Sequence, residues 1–386
     1  MKPFNEVLSS YGTTVFEVMS RLATEHQSIN LGQGFPDEDG PQSIMDAADR
    51  ATRDFPNQYP PMLGVPELRQ SVAKHSKTFY DLDVDGQSEV MVTSGATEAL
   101  AAAILALVNP GDEVILFEPL YDSYMPMLRR AGAVPKPIRL SPPHWHLPRD
   151  ELTAAFSERT KFILINTPMN PTGKVFDENE LSFIADLLLK HDAYAVCDEV
   201  YEHLIFDDRP HIPLITLPQM RDRCVKIGSA GKTFSMTSWK VGYVTAPPHL
   251  LNIIAKAHQF LVFTTPSNLQ RAVAYGLENE IAWYTNLSNE LQRKRDKLQK
   301  RLAEIGFGVL DCHSTYFMNA DIRPLGFNDG DVDFCRQVTV EAGVTVLPVS
   351  ALYVTPDVDH LVRFCFCKKD DVLNGAIDKL SDYFKK

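Results

Sequence analysis

From about residue 85 to residue 250, short β-branched runs alternate with longer stretches in which apolar residues recur every three or four positions. That alternation is the signature of β-α units winding a mainly parallel sheet, an α/β fold. The clearest predicted strands are Val90–Thr93, Val114–Phe117, Phe162–Asn166, Tyr194–Cys197, Cys224–Gly228 and Val241–Ala246. Most of them run into Gly, Pro, Asp or Ser, so loops, and with them any site, should gather at strand ends. Between the strands, Thr97–Val108 and Glu178–His191 carry the spacing of helices packed on a sheet.

A long polar helix is predicted over about Ile281–Ile305, and its run LQRKRDKLQKRL reads as the solvated face of a connector. Beyond it come a strand (Thr315–Ala320), a helix (Asp331–Ala342), two strands (Val344–Leu347 and Leu361–Cys367) and a helix (Asp371–Phe384), which describe a smaller α+β domain. The first forty or so residues have no sheet of their own and are expected to dock there. With no repeat, low-complexity tract or flexible linker along the chain, the parts should be closely joined.

Composition narrows the function classes. A chain of 386 residues exceeds the size at which one core stops growing, so two domains are expected. Hydrophobic residues at 44% and charged residues at 23% are those of an ordinary soluble globular protein. Lys+Arg 38 against Asp+Glu 50 give a net charge of −12 with no basic block, which disfavours nucleic acid and anionic membranes as partners. Any bound anion must then sit in a local pocket. The longest apolar run, Ala99–Val108, is of helix-core length and cannot span a bilayer. The start MKPFNEVLSSYG puts Glu6 where a secretory apolar region would lie, so the cytoplasm is expected. Six cysteines at 197, 224, 312, 335, 365 and 367 form no C-x-x-C pair and read as buried thiols of a reducing compartment. Cys365 and Cys367 should face the same way on a strand, but lacking nearby His or Cys partners they make no metal site.

Several strand ends carry chemistry. Ser229-Ala-Gly-Lys232 follows an apolar strand, and eight residues on Trp239-Lys240-Val-Gly-Tyr243 adds a second cation, which together suggest an anion site. Asp198-Glu199 closes another strand, where a buried carboxylate needs a cation or donor. Tyr201 follows. Asn166-Thr-Pro-Met-Asn170-Pro-Thr-Gly173 fixes a loop from which Asn170 can present an amide. Ser94-Gly-Ala-Thr97 stands at a strand-to-helix junction, whose free N–H groups attract phosphate.

Taken in order, Gly32-Gln-Gly-Phe-Pro36, Asn57-Gln-Tyr59, Ser94-Gly-Ala-Thr97, Asn170-Pro-Thr-Gly173, Asp198-Glu-Val-Tyr201, Ser229-Ala-Gly-Lys232 and Arg363 resemble the motifs of a fold type I pyridoxal-phosphate-dependent aminotransferase (class I/II). The resemblance covers nearly the whole chain. It implies a large domain (41–280) with a mainly parallel seven-stranded sheet that binds pyridoxal 5′-phosphate, a small carboxy-terminal α+β domain (281–386), and an amino-terminal segment (1–40) docked on the latter. It also implies that Lys232 is the Schiff-base lysine and moves the substrate proton, an amine being needed for both tasks. Asp198 matches the partner of the pyridine nitrogen, while Tyr201 and Asn170 match the groups that hydrogen-bond the ring oxygen. Gly95, Ala96 and Thr97 match the phosphate cradle, with Ser229 and Lys240 as its side-chain contacts. Tyr121 falls where an aromatic ring stacks on the cofactor. Tyr59 matches the tyrosine that reaches the phosphate of the other subunit, which implies a homodimer. Arg363 matches the fork that grips the substrate carboxylate, with Gly34 and Asn170 beside it.

Lys240 stands where many members carry arginine, and Ser238 where glycine is usual. Thr-x-Trp-Lys-Val-Gly-Tyr, Gly-Gln-Gly-Phe-Pro-Asp and Tyr-Asp-Ser-Tyr resemble the branch of kynurenine and glutamine aminotransferases, nearest to bacterial methionine aminotransferases. The expected reaction moves an amino group from methionine or another large neutral or aromatic amino acid to a 2-oxo acid by a ping-pong route. No second cation can be assigned to a distal substrate carboxylate. Tyr11, Phe16 and Tyr124 are candidates for an apolar side-chain pocket. Two alternatives stay open: cysteine-conjugate β-lyase or kynurenine/glutamine transfer on the same scaffold, and, from a different class, a nucleotide-binding dehydrogenase, whose G-x-G-x-x-G pattern is incomplete here.

Overall fold

The computed structural model describes residues 2–385. Its main sheet has seven strands, β1 (Val90–Thr93), β2 (Glu113–Glu118), β3 (Val134–Arg139), β4 (Thr160–Asn166), β5 (Tyr194–Asp198), β6 (Cys224–Ser229) and β7 (Gly242–Thr245). They lie in the order β1-β7-β6-β5-β4-β2-β3. Only β7 runs against the others, antiparallel to both β1 and β6. The interior strands are apolar throughout because both faces are covered: Val114 and Leu116 of β2 enter one core, Ile115 and Phe117 the other.

The six predicted strands all form, with ends shifted by at most two residues. The seventh, β3, has the sequence VPKPIR, and its two prolines hide it from strand patterning. It is an edge strand paired on one side only, where a missing N–H is tolerated.

The helix Ile281–Ile305 leads into a four-stranded antiparallel sheet ordered Leu347–Pro348, Leu361–Cys365, Phe317–Asp321, Gly308–Val309. Two expectations are corrected here. The charged run is not wholly solvated: Lys294 and Arg295 are buried, and Arg295 forks onto Asp207 at 3.0 and 2.6 Å, tying the helix to the loop beyond Tyr201. The single strand expected over Val344–Leu347 is two, because the chain leaves one sheet and joins another around Val346. Val344–Thr345 pairs in parallel with Ile29–Asn30, and Leu347–Pro348 pairs with Leu361–Cys365. The amino-terminal segment thus reaches the small sheet through its own short strand, reinforced by Leu31 N–H to Thr345 at 2.8 Å and Cys365 N–H to Leu31 at 2.7 Å.

All six cysteines are buried and unbridged, with Cys365 Sγ and Cys367 Sγ 3.3 Å apart. Among the described residues no helix is long and apolar enough to cross a membrane.

Candidate active site

The carboxyl ends of β4, β5 and β6, the start of the helix after β1, and the small sheet converge on one cavity of about 440 Å³. Local geometry forces the junction after β1 to be tight. Gly95 opens the helix Gly95–Leu107 at φ +74°, and a Cβ on Gly242 would meet the Gly95 carbonyl carbon at 2.6 Å. Glycine at both positions lets β7 lie directly against the helix start, whose first N–H groups have no partner within the helix. Lys240, itself left-handed at φ 52°, lays its side chain over Gly95: a Cβ there would sit 3.2 Å from Nζ. A cation and free N–H groups therefore face the cavity together, an arrangement suited to an anion.

Asp198, buried at the end of β5, accepts the Tyr124 hydroxyl on Oδ2 at 2.5 Å, while its Oδ1 has no partner among the described residues. Burial raises its pKa to about 6, against the pull of that hydrogen bond. Lys232 lies one turn past β6, and Nζ donates to the Tyr316 hydroxyl at 2.7 Å. Burial lowers its pKa, with Cys367, Cys365 and Asp198 pulling weakly the other way.

Arg363 is 1% exposed. Its Nη1 donates to Asn170 Oδ1 at 2.9 Å and its Nη2 to the Gly32 carbonyl at 2.8 Å, while Nε has no partner among the described residues. It stacks 3.9 Å from the Phe317 ring centroid and 5.2 Å from that of Phe16. Burial lowers its pKa to about 10, still high enough to keep the charge at neutral pH. Among the described residues it forms no ion pair, so the structural salt bridge that would otherwise explain a buried arginine is not there. A carboxylate ligand would supply the missing counter-charge.

Lys232, Asp198, Tyr201, Gly95, Ala96, Thr97, Tyr121, Asn170, Ser229, Lys240, Gly34 and Arg363 all line this cavity. Gly34 has room for nothing larger, since a Cβ would fall 2.4 Å from the Phe317 ring. Tyr59 alone among the candidates is elsewhere, 84% exposed and packed edge-on against Phe263. The expected pocket is corrected in part: Phe16 and Tyr124 line the cavity, Tyr124 with its hydroxyl on Asp198, but Tyr11 lies outside, its hydroxyl accepting from Arg129 at 3.2 Å. Residues that sequence reasoning missed are Tyr316, Phe317 and Asp122. Tyr316 and Phe317 look like ordinary core at the start of a predicted strand, and no local spacing marks them.

The family model described as aminotransferase class I and II matches residues 26–380. The chain belongs to this aminotransferase family. It is 44% identical to a probable N-succinyldiaminopimelate aminotransferase of Mycobacterium tuberculosis (strain ATCC 25618 / H37Rv), over 97% of each chain. It is 41% identical to a methionine aminotransferase of Escherichia coli (strain K12), over 97% of this chain and 96% of that one. The solved structure of N-succinyldiaminopimelate aminotransferase from Mycobacterium tuberculosis superposes with a TM-score of 0.96, covering 98% of this chain and 100% of that chain. The protein is thus a fold type I aminotransferase that uses pyridoxal 5′-phosphate, and its family acts on amino acids and oxo acids.

The residues present fit this aminotransferase cofactor. The orphaned Asp198 Oδ1 can receive a ring N–H, the helix start with Lys240 and Ser229 suits a phosphate, and Lys232 offers an amine to an aldehyde.

Proposed function

We propose that the enzyme transfers the amino group of a large neutral amino acid, methionine or an aromatic one first, to a 2-oxo acid by a ping-pong route. The observation that carries this reading is the set of charges in the cavity. Its cationic side chains, among the described residues, are Lys232, Lys240 and Arg363, and each already has a task. No cation is left for a distal carboxylate, and the half-buried Asp122 adds a second carboxyl group rather than a partner for one. That favours a neutral side chain over N-succinyldiaminopimelate, the substrate named for the relative from Mycobacterium tuberculosis.

When bound, pyridoxal phosphate supplies an electron sink for the charge that develops at the amino acid's Cα. In this reading Lys232 carries the cofactor, and its Nζ takes the Cα proton and returns it. Asp198 Oδ1, ionised beside a cationic ring nitrogen, keeps that nitrogen protonated; Tyr124 fixes the carboxylate through Oδ2. Tyr201 and Asn170 hold the ring oxygen. Gly95, Ala96 and Thr97 cradle the phosphate through backbone N–H groups, with Ser229, Lys240 and Tyr59 of a second copy completing the grip. Tyr121 stacks on the ring. Arg363, aided by Asn170 and the close approach allowed at Gly34, orients the substrate carboxylate. The exposed Tyr59 supports a homodimer, because it packs against Phe263 at the surface and does not line its own cavity. Six buried, unbridged thiols support a cytoplasmic setting.

The test is a substrate panel on purified holoenzyme, with methionine, phenylalanine, kynurenine and N-succinyldiaminopimelate as donors and the visible spectrum followed without oxo acid. A neutral donor should lead in kcat/KM by at least about tenfold, the weight of one unpaired charge. A lead for N-succinyldiaminopimelate would overturn the substrate assignment, and pyruvate with ammonia as products would replace transfer by β-elimination.

A further inference from the structure

We propose that Tyr316 is a positioning residue that holds the Lys232 amine by accepting one of its N–H bonds, which leaves the Nζ lone pair free for the proton it moves. The inference rests on the reading of Lys232 given above.

Tyr316 is 1% exposed, and among the described residues its hydroxyl makes two hydrogen bonds, with Lys232 Nζ at 2.7 Å and the Gly34 carbonyl oxygen at 3.0 Å, while the Tyr201 side chain is a further polar neighbour. Donor counting fixes the direction of both bonds. A carbonyl oxygen only accepts, and a tyrosine hydroxyl has one hydrogen, so that hydrogen goes to Gly34. The phenol oxygen is then left as acceptor, and Lys232 must donate to it. Burial keeps the Tyr316 proton in place by pushing the phenol pKa well above its ordinary value. Burial acts oppositely on Lys232, favouring the neutral amine.

A neutral amine has two N–H bonds and one lone pair. With one N–H anchored, the lone pair can no longer be spent on the phenol. Rotation about the end of a flexible four-carbon chain is restricted as well. The Tyr201 ring stands edge-on to Tyr316, centroids 5.3 Å apart, and Lys232 Nζ lies 5.5 and 5.4 Å from the two ring centroids. The amine is thus walled on one side by aromatic faces and open on the other to the cavity.

The bond to Gly34 adds a second consequence. Gly34 belongs to the amino-terminal segment and is packed against Phe317, whose ring lies under Arg363. One hydroxyl therefore links the amine to the segment beside the proposed carboxylate grip.

The test is Tyr316→Phe holoenzyme in single-turnover reactions with methionine and Cα-deuterated methionine, beside a pH titration of the resting enzyme's visible absorption. The hydroxyl's loss should slow the Cα proton transfer by about 3–10-fold, the range for a hydrogen bond between uncharged groups, and enlarge the deuterium isotope effect, with KM within about twofold. The absorption midpoint should shift. A folded variant with unchanged rate, isotope effect and titration overturns the proposal. Should Tyr316→Phe fail to fold, 3-fluorotyrosine at position 316 keeps the shape while weakening the acceptor. It should give the same changes at smaller size, and no change would again overturn the proposal. Lys232→Ala separates the two readings: if it retains the visible band and turnover, the assignment of Lys232 fails, whereas an inert Lys232→Ala with a wild-type-like Tyr316→Phe rejects only the role of Tyr316.

Discussion

Asp198 and Glu199 are neighbours at the end of β5, yet they belong to two polar clusters of opposite character. Behind the sheet, Glu199 Oε2 lies 2.8 Å from His211 Nε2 and 3.7 Å from Lys226 Nζ. Lys226 also pairs with Glu202 at 2.5 Å, Tyr80 donates to Glu202 at 2.7 Å, and the Nε2 atoms of His75 and His203 are 2.7 Å apart. Each carboxylate there has a cation or a histidine within reach, although Glu199 Oε1, Glu202 Oε1 and His211 Nδ1 have no partner among the described residues. In front of the sheet, Asp198, Lys232 and Arg363 share a cavity, but none of them forms an ion pair with another described residue.

The ionisation directions follow. Burial pushes Glu202 up, but Lys226 and the two histidines outweigh it and hold the carboxyl well below its ordinary value. Asp198, with no cation in contact, goes to about 6. Paired ions hold a strand end to its neighbours; unpaired ones cost stability and provide the capacity to bind opposite charge.

The sharpest break of the comparison is Lys232→Ala, which removes the amine and leaves the back cluster untouched. Transfer should fall by more than about 10⁴-fold with the fold intact by circular dichroism. Comparable turnover in the variant would sink the mechanism.

Next come the two carboxylates themselves. Asp198→Ala should cost about 10²–10³-fold in kcat, far more than Tyr201→Phe, without loss of stability. Glu202→Ala should do the reverse, lowering stability by about 3–5 kcal/mol because Lys226 is left buried without its closest partner, while KM stays near wild type. Kinetics and chemical denaturation on both variants read this directly, and swapped phenotypes would end the distinction.

Arg363→Ala should raise KM by about 100-fold with a smaller change in kcat, as expected for loss of a charge-assisted fork. An unchanged KM would remove Arg363 from substrate capture.

The smallest effect is in pH dependence of the cofactor-free protein. Asp198 has a folded pKa of about 6, above its unfolded value, so its contribution to stability shrinks as pH rises from about 4 to about 6. His75 and His203, lowered by burial to about 4 and about 3, act in the opposite sense: their contribution is full above about 6.5 and is lost as pH falls through the window below it. Asp198→Asn should therefore gain Tm over wild type by a few degrees at pH 7 and little at pH 4. A difference that does not vary with pH would show that burial of Asp198 carries no such penalty.

Much of this was legible in the chain. The strand-then-loop punctuation located Asp198, Ser229 and the Asn170 loop, because turn residues and buried runs are short-range signals. The family's ordered motifs pointed to Lys232, Arg363 and the proposed phosphate cradle, all of which line the one cavity. What stayed hidden had physical reasons. Prolines disguised β3 because an edge strand tolerates them, and Lys294 and Arg295 looked solvated because their burial depends on partners elsewhere in the chain. Tyr124 lines the cavity as expected, but nothing local says that its hydroxyl also meets a carboxylate 74 residues away.

By itself the sequence determined the order of strands and helices, the places where the backbone must turn, and the inventory of reactive groups, since each depends on residues within a few positions. Only the tertiary structure decided which groups meet. Tyr316 reaches Lys232 across 84 residues, Arg363 reaches Asn170 across 193, and the same arginine reaches Gly32 across 331. Those contacts set which charged groups are paired within the protein and which are left facing the cavity, and that difference in pairing, invisible to local pattern, separates the proposed active-site cluster from the ion-paired one.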